Sequence, residues 1–308
     1  MMLFHFNFLK RKINLHQGIC AVILIATCCF KMVSAAVVTS IRPLGFIAEA
    51  ISDGVMPVKV LLPIGASPHD YALRPSDIQA INNASLIVWV DPTMEAFLAK
   101  PLESIPVNKK ITISELPEVQ RLLISSQDSG HHEHRANFYN MHLWLSPEIG
   151  TLIAINIHHQ LLKLNPNDKK RLDENLKNFK NQKDKTIQKI ANMLYPVRKK
   201  GYFVFHDAYG YFEKQFNLSP LGYFTLNPSI QPGAERLHQI KSQLTAKKVV
   251  CIFAEPQFIK PAVINALAQG TAVRSGVLDP LGSKIPMNKD SYMKFLLELS
   301  MQYYTCLK

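Results

Sequence analysis

Between Pro166 and Pro196 the chain reads PNDKKRLDENLKNFKNQKDKTIQKIANMLYP, highly charged and with no Gly or Pro between its two ends. Leu172, Leu176, Phe179, Ile187, Ile190 and Leu194 recur in it at spacings of mostly three or four, the pattern of one amphipathic helix. A helix of about 28 residues is roughly 42 Å long, enough to run along a pair of domains. The apolar stripe breaks at Lys183, where the helix is expected to pass from one domain to the other. A coiled-coil dimer is the competing reading, and an interrupted seam of two or three heptads speaks against it. A helical spine, unlike a Gly/Ser linker, holds two domains in nearly fixed relation.

On both sides of this stretch, short β-branched runs alternate with helical patterns, which signals βαβ units and parallel sheets. Strands are expected at 37–40, 58–62, 86–90 and 110–113, with helices at 43–52 and 76–83. After the spine come strands at 202–205, 222–225, 249–253 and 272–277, with helices at 209–216, 233–245 and 261–269. The fold class is therefore α/β: two α/β lobes with mainly parallel sheets, bridged by one long rigid helix, with a site between the lobes. The boundaries are 37–165 for the first lobe, 166–196 for the helix and 197–308 for the second lobe. Asp91-Pro92 after one strand echoes Glu255-Pro256 after another, a weak sign of duplication.

At 308 residues, 47% hydrophobic and 19% charged, the chain has the apolar content for a sizeable core, which excludes a disordered or collagen-like protein. Residues 1–36 read as a secretory signal peptide. Lys10, Arg11 and Lys12 precede an apolar run at 19–30, and Val33-Ser34-Ala35-Ala36 supplies small residues for cleavage. That run is short for a membrane anchor. The segment carries four basic and no acidic residues, so a formal net charge of +12 becomes +8 on the remainder. The basic residues read as scattered, and with export expected, nucleic acid is not a partner. Cys20, Cys28 and Cys29 leave with the segment, and Cys251 and Cys306 remain. In an exported compartment such a pair closes into a disulfide, two buried free thiols being the alternative.

Of the histidines, His5 and His16 fall in 1–36, while His158, His159 and His238 lie in helical stretches where packed or solvated roles are usual. Three sit differently. His69 follows a strand in GASPHDY, His142 precedes a helix in NMHLWLSP, and His206 ends the strand at 202–205. Ligands of open α/β sheets collect outside the carboxyl ends of strands. Three neutral imidazoles meeting there suit Zn2+. The fourth position falls to Asp279 or to a water, Asp279 also reading as a turn residue before Pro280. His131, His132 and His134, in the loop 125–138, are a separate and weaker metal-binding signal, equally readable as a solvated loop.

The stretches SPHDYALRPSD (67–77), NMHLWLSPEI (140–149), GYFVFHDAYGYFEKQF (201–216), IQPGAERLHQI (230–240), IFAEPQF (252–258) and LDPLG (278–282) resemble the ZnuA-type periplasmic zinc-binding proteins of ABC zinc importers. The resemblance covers the chain from residue 37 onward. It implies that His69, His142 and His206 are zinc ligands, that Asp279 or water completes the site, and that Cys251 and Cys306 are bridged. It also makes the short His loop a family feature, much briefer than in many relatives. Some members carry a glutamate just before the first histidine; Pro68 stands there in this chain, so that role does not transfer.

The function implied is capture of Zn2+ in the periplasm and delivery to an inner-membrane ABC permease with its cytoplasmic ATPase, by a monomer that catalyses no reaction. Alternatives are a manganese- or iron-binding relative, a surface adhesin, and a three-His zinc hydrolase. Manganese-binding relatives place glutamate where His206 stands, and imidazole in its place favours Zn2+. Since neutral imidazole is the ligand, affinity is expected to fall below about pH 6.5.

Overall fold

The structure, a computed structural model, describes residues 36–126, 139–225, 228, 233–246, 249–258 and 267–308. The expected signal peptide, apart from Ala36, the histidines of the short loop and most of the helix expected at 261–269 lie outside these residues.

Two four-stranded sheets, all parallel, organise the chain. The first is ordered β2-β1-β3-β4, with β1 Val37–Thr39, β2 Val58–Val60, β3 Leu86–Trp89 and β4 Lys110–Thr112. The second repeats that order as β6-β5-β7-β8, with β5 Gly201–His206, β6 Ser219–Thr225, β7 Val249–Ala254 and β8 Arg274–Val277. In each, the chain leaves its first strand to one side and returns to the other. The crevice so formed lies between β1 and β3, and between β5 and β7. Among the described residues the helices are α1 Arg42–Ser52, α2 Pro75–Asn83, α3 Ala96–Glu103, α4 Pro117–Gln120, α5 Pro147–Leu164, α6 Lys169–Leu194, α7 Gly210–Phe216, α8 Ala234–Ala246 and α9 Ser291–Leu307.

Strand residues alternate between two apolar layers, as a period of two requires. Val37, Leu86, Val88, Tyr202, Val204, Cys251 and Phe253 face one core that spans both sheets and takes in α1, α5, α6 and α9. Val38, Ile87 and Trp89 face a smaller cluster behind the first sheet, and Phe203, Phe205 and Ile252 one behind the second. Since a single core joins the sheets, they cannot separate without exposing it.

The spine helix is α6, which has 26 residues. At 1.5 Å of rise per residue its length is about 39 Å. A 3-10 turn extends it at each end. It packs against α9, α5 and α1. Phe179 stacks on Tyr292 of α9 at 5.7 Å between centroids. Where the sequence suggests a break in the stripe, Thr186 takes the buried position seven residues after Phe179, and Lys183 turns to Asp184 at 2.7 Å. The hydroxyl-bearing Thr186 hides from a count of apolar residues. Strand β6 begins at Ser219, three residues before expectation, because Pro220 disguises its start. It is an edge strand, and an edge can hold a proline that donates no ladder hydrogen bond. Helix α3 carries Pro101 inside it, which disguises it in the sequence.

Cys251, on the inner face of β7, is disulfide-bonded to Cys306 in the last turn of α9, with Cα atoms 6.0 Å apart. Gly276 of β8 leaves room for this bridge, since a Cβ there would press on Phe253 and on the Cβ of Cys306. No helix among the described residues is long and apolar enough to cross a membrane.

Candidate metal centre

The geometry begins with strand ends. His206 closes β5 and Glu255 follows β7, so the two residues flank the crevice of the second sheet. There the ring Nδ1 of His206 lies 2.7 Å from Glu255 Oε1, and both side chains are buried. A carboxylate accepts, so Nδ1 carries the proton and Nε2 presents its lone pair.

His142 reaches the same point from the segment before α5. It opens a 3-10 turn, Leu143–Leu145, which runs into α5. Ser146 caps that helix, its hydroxyl oxygen accepting from Ile149 N at 3.2 Å. The His142 Nδ1 lies 2.9 Å from Asn140 Oδ1. The amide is oriented by its other end, where Asn140 Nδ2 donates to the carbonyl oxygen of Asp207 at 2.9 Å, and a carbonyl only accepts. Oδ1 therefore faces His142, whose Nδ1 holds the proton. The two Nε2 atoms of His142 and His206 stand 3.0 Å apart. Two lone pairs at that distance suit a metal ion held between them. Across a tetrahedral Zn2+ with nitrogens at about 2.0 to 2.1 Å, ligand atoms stand about 3.3 Å apart.

His69 comes from the loop after β2, its backbone N–H bonded to Ser67 Oγ at 3.1 Å. Its ring centroid is 5.5 Å from that of His142 and 5.6 Å from that of His206. One ligand atom from each of the three histidines lies within 4.8 Å of the others. Phe258 and Trp144 wall the group, at 5.8 Å from His206 and 5.2 Å from His142. His69 is half-buried, while His142 and His206 are buried.

Asp279 stands outside this cluster, after β8. Its carboxylate accepts from the backbone N–H of Leu281 at 3.1 Å and of Ser283 at 2.7 Å, and from Gln257 Nε2 at 3.2 Å. Those bonds fit the turn role that its place before Pro280 also suggests. Asn140 and Glu255, which hold two of the rings, carry no mark in the sequence that assigns them this role. The usable signal is position: Glu255 directly follows the strand beside the one His206 ends, and Asn140 lies two residues before His142.

Burial, aided by electrostatic repulsion from His206, lowers the His69 pKa to about 3, and burial holds His142 well below the usual imidazole range. These two rings are neutral at pH 7, and their competition with protons begins well below the pH of about 6.5 expected from an ordinary histidine. A ring whose folded pKa lies below its unfolded value of about 6.5 binds fewer protons when folded. The contribution of these two rings to the stability of the metal-free protein is thus full above about pH 6.5 and is lost as pH falls from there toward the folded value of about 3. Urea midpoints across that range should fall with acidification, and His69→Leu should flatten the decline. An unchanged slope in that variant would rule out the His69 contribution.

Comparison with known proteins places the chain among zinc-uptake components. A family model described as zinc-uptake complex component A, periplasmic (ZnuA), matches residues 37–306. The high-affinity zinc uptake system protein ZnuA of Yersinia pestis is 57% identical over 96% of this chain and 98% of its own length. That of Haemophilus ducreyi is 43% identical over 89% of this chain and 94% of its own. A crystal structure of ZnuA superimposes with a TM-score of 0.74 at 22% identity, covering 89% of this chain and 100% of that one.

Proposed function

The chain belongs to the ZnuA family of periplasmic zinc-uptake components, and we propose that it captures Zn2+ with high affinity and delivers it for uptake through an ABC permease driven by a cytoplasmic ATPase. The observation that carries the reading is the convergence of His69, His142 and His206 with ligand atoms inside 4.8 Å. In this reading the three histidines are the ligands and water takes the fourth position, since the Asp279 carboxylate is committed to its turn. Residues 1–36 direct export and are removed, and the mature chain works as a periplasmic monomer.

The zinc is cargo, and among the described residues no free catalytic base stands beside it. Glu255 is taken by His206, and Asp207 accepts from Ser126 Oγ at 2.7 Å. That speaks against the hydrolase alternative, which needs a free base beside zinc-bound water. His69 is the ligand that docking on the permease can withdraw most easily. It is half-buried, sits on a loop, and its ring makes no hydrogen bond among the described residues. Small movement of that loop suits a molecule whose two sheets share one core.

Metal analysis and competition titration test the proposal: one Zn2+ per chain, bound tightly and not displaced by equimolar Mn2+, is expected. Weak binding, or preference for Mn2+, would end it. A second measurement addresses Glu255. The Glu255→Gln side chain keeps the shape and removes the charge facing His206, and loss of such an outer partner costs about 10- to 100-fold in affinity. A Kd within twofold of the parent would remove Glu255 from the site's electrostatics.

A further inference from the structure

Asn140 is almost wholly buried, 4% exposed, and each of its polar atoms has a partner. Its backbone N–H donates to Ile124 O at 2.9 Å, and its carbonyl accepts from Tyr211 Oη of α7 at 2.8 Å. Its side-chain oxygen accepts twice from His142, from the backbone N–H at 3.0 Å and from ring Nδ1 at 2.9 Å. Its side-chain nitrogen donates to the carbonyl of Asp207, the residue directly after His206. One amide thus touches the backbone and ring of one histidine and the backbone next to the other, although the two lie 64 residues apart in sequence.

Building on the zinc-capture reading, we propose that Asn140 is a positioning residue that locks His142 in the tautomer presenting Nε2 and couples it to the strand end carrying His206, so that the two nitrogens form one preformed, zinc-sized pair. Two further bonds make the coupling stiff. Trp144 Nε1 donates to Pro280 O at 2.8 Å, and Tyr292 Oη donates to Trp144 O at 3.0 Å. Tyr292 approaches because Gly150 of α5 has no side chain; a Cβ there would overlap the phenol. The His142 segment precedes the spine in sequence, yet it is fastened to residues that follow it. Only His69 reaches the metal position on a loop free of these ties. Two imidazole nitrogens suit Zn2+, whereas Mn2+ favours an octahedron of oxygen donors. Asn140 thereby serves selectivity as well as affinity, through a ring it orients and without touching the metal.

The experiment compares the full parent chain with Asn140→Ala, Asn140→Asp and Tyr211→Phe, using Zn2+ competition, the visible spectrum of Co2+ placed in the site, and thermal unfolding without metal. Asn140→Ala removes the acceptor for Nδ1–H and should lower zinc affinity about 10- to 100-fold, narrow the preference over Mn2+ and weaken the tetrahedral Co2+ bands. Asn140→Asp keeps an acceptor for that ring nitrogen and loses the bond to Asp207, so the Co2+ bands should return toward the parent with affinity only partly restored. Tyr211→Phe takes a bond from the same segment without touching the histidine, and should lower the unfolding temperature while leaving the spectrum alone. Parent-like affinity and spectrum in Asn140→Ala, or a spectral change in Tyr211→Phe as large as in Asn140→Ala, overturns the proposal. Should the alanine variant not fold, loss of the tetrahedral bands in Asn140→Asp overturns it. The parent's own titration separates the two levels: no tight zinc there overturns the functional reading along with this one, whereas parity between parent and variants overturns only the role of Asn140.

Discussion

His206→Ala is expected to cost at least about a hundredfold in zinc affinity and to destabilise the metal-free protein as well. A structural zinc site is worth roughly 10 to 16 kcal/mol over about four ligands, so one ligand carries about 3 kcal/mol, which is two decades in Kd. Two residual imidazoles also lose the geometry that the 3.0 Å pair provides. The effect on the metal-free fold follows from Glu255, which is 1% exposed and faces the His206 ring. Truncating the ring leaves that carboxylate buried without its partner, at a cost of about 1 to 3 kcal/mol or more. His69→Ala makes the contrast: zinc affinity falls, yet the metal-free protein unfolds at nearly the parent temperature, because no ring hydrogen bond is lost. Competition titration and thermal unfolding of both variants check the pair of statements. Tight zinc binding retained in His206→Ala would sink the ligand assignment.

The sequence carries much of this, for physical reasons that differ by residue. Helix α6 is legible because a long solvated helix must show its buried stripe, and Leu172, Phe179, Ile190 and Leu194 do so. The parallel strands are legible because strands covered on both faces read as continuous β-branched and aromatic runs, as at 86–89 and 202–205. The three histidines stand out by lying at element ends, where α/β sheets gather ligands. What is hidden depends on side chains meeting across long separations. Glu255 and His206 are 49 residues apart, and nothing local distinguishes that carboxylate from Asp207 or Asp91. Asp279 is ambiguous for the opposite reason: a strand-end aspartate before a proline fits a ligand and a turn equally well, and its bonds to Leu281 and Ser283 favour the turn.

Removing the disulfide should produce the largest loss of stability with the least effect on function. The bridged cysteines are 55 residues apart in sequence. For a loop of that size the chain-entropy model gives about 4 kcal/mol of constraint on the unfolded chain. Both sulfurs lie in the common core, Cys251 at 0% and Cys306 at 6% exposure, so the folded geometry should survive replacement by alanine at both positions. At roughly 2 to 4 °C per kcal/mol for a protein of this size, the unfolding temperature should drop on the order of 10 °C. The metal position stands apart from this change. Cys251 lies within β7, whereas the crevice lies beyond the strand's carboxyl end, where Glu255 meets His206. Zinc affinity of the folded Cys251→Ala/Cys306→Ala protein is therefore expected within about twofold of the parent, as each decade of Kd would require about 1.4 kcal/mol of differential binding. Calorimetry and zinc titration on the same preparation separate the two effects. A fall in affinity matching the fall in stability would mean that α9, fastened to β7 by the bridge, helps hold the site through Tyr292 and the His142 segment.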